Sequence, residues 1–423
     1  MKTKLLLASL FALSVQQTVL AQTDANGYTQ VDLSMGSGYQ NRVFFSLPGN
    51  NIVSQPANSW DVAFYRNSAM NFGTRINDAK DILVYQASNN LADWDNINVA
   101  NVSTWGEPLY NPDNTTTIQE GAFEQGSAPY GWGQYNGANH HIEGTIIFVL
   151  KYPNDTYIKF AIQDYFGGYT FKYSKWNGTT WDATQTKTLA NGTDDAYFNY
   201  FSFTTNDKVA NLEPAKTAWD LMFTKYYTFY NNIMMYPLSG VIQNPSITVA
   251  KVQPETQATS TFTAPASTAF SANITSIGHS WKPVSGVYSD VVYYIKKGSD
   301  YYRMYFVSNG GQSTGNMYFK YKNITSTLGV TDMANKKASF GIYPNPTTAD
   351  KHVTVLFDVK EKANNKGNVE VYDLSGKKVY TAELTNQTGF YKQDLNLSHL
   401  TAGNYLVKIT FGGSTETKKL IVK

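Results

Sequence analysis

The chain has 423 residues, enough for about two or three domains with sizeable cores. Only 16% of residues are charged and 15% are aromatic, led by 31 Tyr and 23 Phe, which excludes a disordered chain and favours pleated, half-buried surfaces. Cysteine is absent, which excludes disulfides, thiolate metal sites, cysteine nucleophiles and a lipoprotein anchor, and residues 22–325 carry 19 basic against 23 acidic side chains, a net −4 with no footprint for nucleic acid or an anionic membrane.

In chain order, Lys2 and Lys4 precede a short apolar run from Leu5 to Val15, and Val19-Leu20-Ala21 supplies a cleavage site. This predicts a signal peptide over 1–21, removed before Gln22. The run is too short for a spanning helix and Gln16-Gln17 interrupt it, and no later segment predicts a transmembrane span. An internal repeat follows. Phe44-Phe45-Ser46-Leu47 recurs as Tyr200-Phe201-Ser202-Phe203, and Trp60-Asp61-Val62-Ala63-Phe64 as Trp219-Asp220-Leu221-Met222-Phe223. Tyr157 and Phe160 recur as Tyr302 and Tyr305, and the run Tyr169, Phe171, Tyr173 as Met317, Phe319, Tyr321. Four matches in one order predict two tandem antiparallel β-domains, 22–180 and 195–325, joined by a polar linker near 178–195. Each contains a hairpin: Thr145–Lys151 with Thr156–Ile162, turning at Tyr152–Asp155, and Val291–Lys296 with Tyr301–Val307, turning at Lys297–Asp300. The irregular stretch 97–143 has the length of a binding loop. A second linker is predicted at 326–339, and 340–423 reads as a small C-terminal β-sandwich of short strands with the turn Asp373-Leu374-Ser375-Gly376. The fold class is therefore all-β.

The tail spells Phe340-Gly341-Ile342-Tyr343-Pro344-Asn345-Pro346, then Val369 to Tyr380, Leu397 to Ile409 and a terminal Lys418-Lys419-Leu420-Ile421-Val422-Lys423. It resembles the type A C-terminal sorting domain of the Bacteroidetes type IX secretion system. That resemblance implies recognition by the secretion machinery, export across the outer membrane, removal of the domain, and surface attachment or release. The repeats, with Ser59 to Arg66 and the closing Tyr-Thr-Phe-Lys-Tyr strand, resemble the secreted haem-binding HmuY family. That family is all-β and holds haem between two axial His or Met side chains. Tyr65 and Thr224 stand where many members have His.

Trp60-Asp61 and Trp219-Asp220 are expected to be structural, Trp filling a core and Asp satisfying a backbone donor. His140-His141-Ile142-Glu143 is the one ligand-like cluster; alternation sends the two His to opposite faces, and no metal site is predicted. His140, His141 and Met70 are the candidate haem ligands of the first repeat. Met222, Met234, Met235, Met304 and Met317, with His279, are those available to the second. No nucleophile elbow, Walker loop or dinucleotide fingerprint occurs, so no catalytic residue and no enzyme activity are predicted. The expectation is a secreted or cell-surface ligand-binding protein, with haem as the ligand the resemblance implies. The alternative is an adhesive or structural surface protein that meets glycans or proteins through aromatic loops.

Overall fold

A computed structural model describes residues 16–17, 23–66, 71–192, 195–325, 338–359, 362, 364, 366–411 and 414–423. The expected signal peptide, apart from Gln16–Gln17, and residues 326–337 of the expected linker lie outside the described residues. The chain divides into two compact units, Met1–Ile324 and Thr325–Lys423, here called the body and the tail.

The body contains two β-sandwich lobes. In lobe one, the sheet Asp207–Val209, Phe198–Ser202, Val62–Tyr65, Thr74–Ile76 lies over the sheet Gln185–Ala190, Gly168–Lys175, Tyr157–Tyr165, Ile147–Lys151, Leu83–Ser88. Val62, Phe64 and Phe201 from the first sheet interlock with Val84, Phe148, Phe160 and Phe171 from the second. In lobe two, Asn51–Pro56, Asn41–Ser46, Leu221–Tyr230, Met234–Gln243 lie over Ile247–Val252, Val292–Lys297, Asp300–Asn309, Asn316–Asn323, Thr29–Ser34. Val43, Phe45 and Phe223 meet Val31, Val249, Phe306 and Phe319 in its core. Strict alternation drives this layering: Asn316–Asn323 buries every second side chain, so one face enters the core and the other meets solvent. Gln16–Gln17 adds two residues beside Val53 and Ile52 at the edge.

The strand pairings cross the expected division between 22–180 and 195–325. Phe198–Ser202, expected in the second domain, hydrogen-bonds along Val62–Tyr65 of the first. Asn41–Ser46, expected in the first, pairs with Leu221–Phe223, and Thr29–Ser34 pairs with Asn316–Asn323. Lobe one is thus a continuous stretch of chain inserted into lobe two, whose strands come from both sides of it. The stretch expected as a linker near 178–195 contains the strand Gln185–Ala190, paired along Gly168–Lys175. The two hairpins form as predicted, at Tyr152–Thr156 and at Lys297–Asp300, where Asp155 and Gly298 take the left-handed conformation.

The tail is a separate sandwich. Ala338–Tyr343, His352–Val359 and Gly389–Asn396 form one sheet; Lys378–Leu384, Gly367–Tyr372, Gly403–Phe411 and Ser414–Val422 form the other. Val355, Phe357, Val371, Val407, Ile409 and Leu420 fill the space between them. At the predicted turn, Asp373 Oδ1 accepts from the Ser375 and Lys377 amides at 2.9 and 3.0 Å.

Candidate binding surfaces

The Trp-Asp pairs hold the body together. Asp61 Oδ2 accepts from the Phe203 amide at 2.7 Å, and Asp220 Oδ2 accepts from the Leu47 amide at 2.8 Å. Asp61 also meets Lys80 and the Tyr152 hydroxyl, and Asp220 lies 2.6 Å from Lys297 Nζ. One loop further on, Asn77 Nδ2 donates to the carbonyls of Ala57 and Trp60, and Asn244 Nδ2 donates to those of Lys216 and Trp219. Each aspartate is committed to a backbone donor and a cation, so the structural role expected for both pairs is the observed one.

Trp60 and Trp219 meet between the lobes, in a cluster with Phe44, Tyr200 and Ile242. A cavity of about 60 Å³ lies there, lined among others by Arg42, Asp78, Tyr200 and Met222. The Arg42 guanidinium sits 4.5 Å over the Tyr200 ring and donates to the Leu212 carbonyl at 2.8 Å. Burial pushes the Asp78 carboxyl up to about 6, against the pull of Arg75 and the Asn111 amide. Burial also raises Glu213, which accepts from the Tyr197 amide and the Tyr200 hydroxyl. At ~30 Å³ per water, this space suits a pair of waters and is far too small for a porphyrin.

His140 and His141 lie elsewhere, at the hairpin Gly133–Asn136 with His141–Gly144. His140 is exposed, with φ +63°, and its Nδ1 shares a 2.5 Å hydrogen bond with the Tyr135 hydroxyl. His141 is half-buried; its Nδ1 is 2.7 Å from Asp164 Oδ1, and its ring stacks on Phe166 at 4.8 Å with 3° between planes. Met70 lies outside the described residues. Neither the interlobe cavity nor the open clefts beside Tyr302 and Tyr321, or beside Arg66 and Glu213, is lined by either histidine. Of the second set, Met304 and Met317 are core residues, Met222 lines the interlobe cavity, and Met234 is exposed. His279 bonds to the Tyr226 hydroxyl at 2.9 Å, and burial with Lys282 lowers its pKa. Among the described residues no cluster of three metal-ligating side chains occurs.

The histidines instead border an aromatic surface. Phe166 is 52% exposed at the Tyr165–Gly168 turn; Tyr130 and Tyr135 are exposed as well, but the register Tyr135–Ile142–Tyr165 sets Tyr135 on the other face of the sheet from His141. Phe72 packs under Tyr130, with ring centroids 5.9 Å apart, and against Trp132 and Tyr165. The polar side chains are pre-set: Asn136 and Asn139 both donate to Glu143 Oε1 at 2.9 Å, which holds the Glu143 carboxyl below its usual range. Sequence reasoning found the two His and Glu143 but missed Phe166 and Asp164. A bulky aromatic followed by Gly167-Gly168 was the signal available, since a tight turn leaves its side chain in water.

Among the described residues no helix is long and apolar enough to cross a membrane. No curated protein matches the chain. Residues 341–423 match the family of secretion system C-terminal sorting domains. The tail is a type IX export address, and the chain that carries it is sent to the cell surface or the extracellular space.

Proposed function

We propose that the body is a non-catalytic binding module, delivered by its tail, that engages glycans through the exposed face of Phe166, which stacks on His141. One observation carries this reading: Phe166 is held flat against His141, whose own ring is fixed by Asp164, so an exposed apolar face is presented rigidly. Sugar rings stack their C–H faces on such platforms, while amides and carboxylates at the border meet their hydroxyls. Asn136, Asn139, Glu143 and Asp164 supply that border. Haem is the second reading, favoured by the His141–Asp164 contact, because a carboxylate on Nδ1 orients a histidine to ligate through Nε2. We also infer that the two lobes are copies of one HmuY-like unit, on the strength of the matched Asp61/Asp220 and Asn77/Asn244 hydrogen bonds.

A glycan array followed by titration of the best ligand tests the proposal. Phe166→Ala is expected to weaken binding about tenfold or more, the scale of lost aromatic contacts. Undiminished glycan binding by this variant defeats the surface assignment. A hemin Soret band that is present in the wild type and lost in His141→Ala establishes the haem reading instead.

A further inference from the structure

A second exposed surface lies on lobe two and is independent of the glycan-facing one. Leu221–Tyr230 and Met234–Gln243 pair along their full length, but only Leu221–Phe223 also pairs with Asn41–Ser46. Among the described residues, the first strand beyond Phe223 therefore pairs along its backbone only with its hairpin partner. The base of this ribbon is anchored by Lys225 to Asp81 at 2.8 Å and by Tyr227 packed against Tyr110, ring centroids 4.9 Å apart and tilted by 40°. The far end turns tightly through Asn231 and Asn232, both left-handed, with the Ile233 amide donating to the Tyr230 carbonyl at 3.0 Å.

The register places side chains on known faces. Tyr230 opposes Met234 and Thr228 opposes Tyr236 on one face; Phe229 opposes Met235 on the other. Met234 is 55% and Tyr236 47% exposed on the first face, Phe229 is 54% exposed on the second, and Ile233 at the turn is 72% exposed. From Tyr226 to Ala250 there is no Lys, Arg, His, Asp or Glu. A flat protein partner covers one face of a ribbon, and a small ligand needs a concavity. A lipid surface covers both faces and the turn together.

We propose that this hairpin tip inserts into the interface of an uncharged phospholipid layer. Burial of Phe229, Ile233 and Met234 drives insertion, and Tyr236, further down the ribbon, takes the headgroup level. The Asn231 and Asn232 amides and the unpaired ribbon edges keep it shallow, on the order of 5–10 Å, because backbone polar groups cannot enter hydrocarbon unpaired. With no charge on the tip, binding is insensitive to headgroup charge and to salt.

Vesicle flotation tests this with the chain from residue 22 to 423, the leader being left off because an apolar leader binds lipid by itself. The chain is expected to float with phosphatidylcholine vesicles equally at low and high salt. Phe229→Ser, Ile233→Ser and Met234→Ser together, or Ile233→Asp alone, are expected to reduce partitioning about tenfold or more. All these positions are exposed, so an unchanged near-ultraviolet circular dichroism spectrum certifies the fold. Failure of the wild-type chain to float, loss of binding in salt, or equal flotation of the variants overturns the proposal. So does lipid-free self-association that the same substitutions abolish, which would make a second copy the occupant.

Discussion

At the scale of single residues, the enclosed acids differ in what faces them: Asp61 and Asp220 each meet a lysine, whereas Glu124 meets backbone amides. Asp61 and Asp220 each follow a tryptophan, and a recurring acid beside a core aromatic reads as a bonded acid. Glu124 sits in the irregular stretch 97–143 with no pattern around it. Yet its Oε2 accepts from the Thr74 and Gly121 amides at 2.9 and 2.8 Å, and burial pushes its carboxyl up to about 7. Both Glu124 and Asp78 are raised above their unfolded values, so the stability each contributes is complete below about pH 4 and is lost as pH rises through 6 to 7. His279, lowered by burial, works with the opposite sign on the acid side. The Glu124 part is isolated by substitution. Glu124→Gln is expected to narrow the difference in unfolding free energy between about pH 5 and about pH 8 by about 2 kcal/mol. Urea titrations of both proteins at the two pH values check this, and parallel pH dependences contradict it.

At the scale of elements, alternation with an apolar face was readable and alternation without one was not. Gly168–Lys175 and Asn316–Asn323 bury every second residue and were placed from sequence. Gln185–Ala190 has only Leu189 and Ala190 as apolar residues and none that is fully buried, so its composition did not separate an edge strand from a linker. It forms because the Gly168–Lys175 edge needs partners for its backbone groups. Part of the stretch 97–143, with the helical turns before it, is likewise structural. Trp94 and Trp181 close over the Lys159 ammonium at 4.7 and 5.0 Å on the outer face of the lobe-one sheet. Trp60 and Trp219 lie in the connections just before Val62–Tyr65 of lobe one and Leu221–Tyr230 of lobe two, and the indoles share one cluster. Trp60→Ala and Trp219→Ala are each expected to cost ~3–5 kcal/mol. Both are expected to lower the same body transition in calorimetry. Two transitions, each shifted by only one of the variants, would mean that the lobes unfold separately.

At the scale of the whole molecule, the division into body and tail was readable to within a few residues, because the tail carries its own spelling. The nesting of the lobes was not. Local motifs identify which strands resemble each other, whereas pairing is decided by which exposed sheet edge each strand completes. In the tail, Ser414–Val422 pairs along Gly403–Phe411 and buries Leu420 and Val422. Deletion of residues 412–423 removes that strand and opens the tail core. The truncated chain is expected to remain in the periplasm, and protease shaving of intact cells checks it; normal surface display would contradict the role given to the terminal strand. The nesting also sets an order of events during synthesis. Lobe one is complete once the strands from Val62 to Val209 have emerged. The hairpin Asn41–Ser46 with Asn51–Pro56 emerges earlier but must wait for Leu221–Tyr230 before it has a sheet to join. Throughout that interval Phe44 and Phe45 have no core of their own. Thr29–Ser34, made earlier still, must wait for Asn316–Asn323, so the first-made strand of the body is the last to be sheltered, and the stretch 29–56 is the one most in need of a holding chaperone during export.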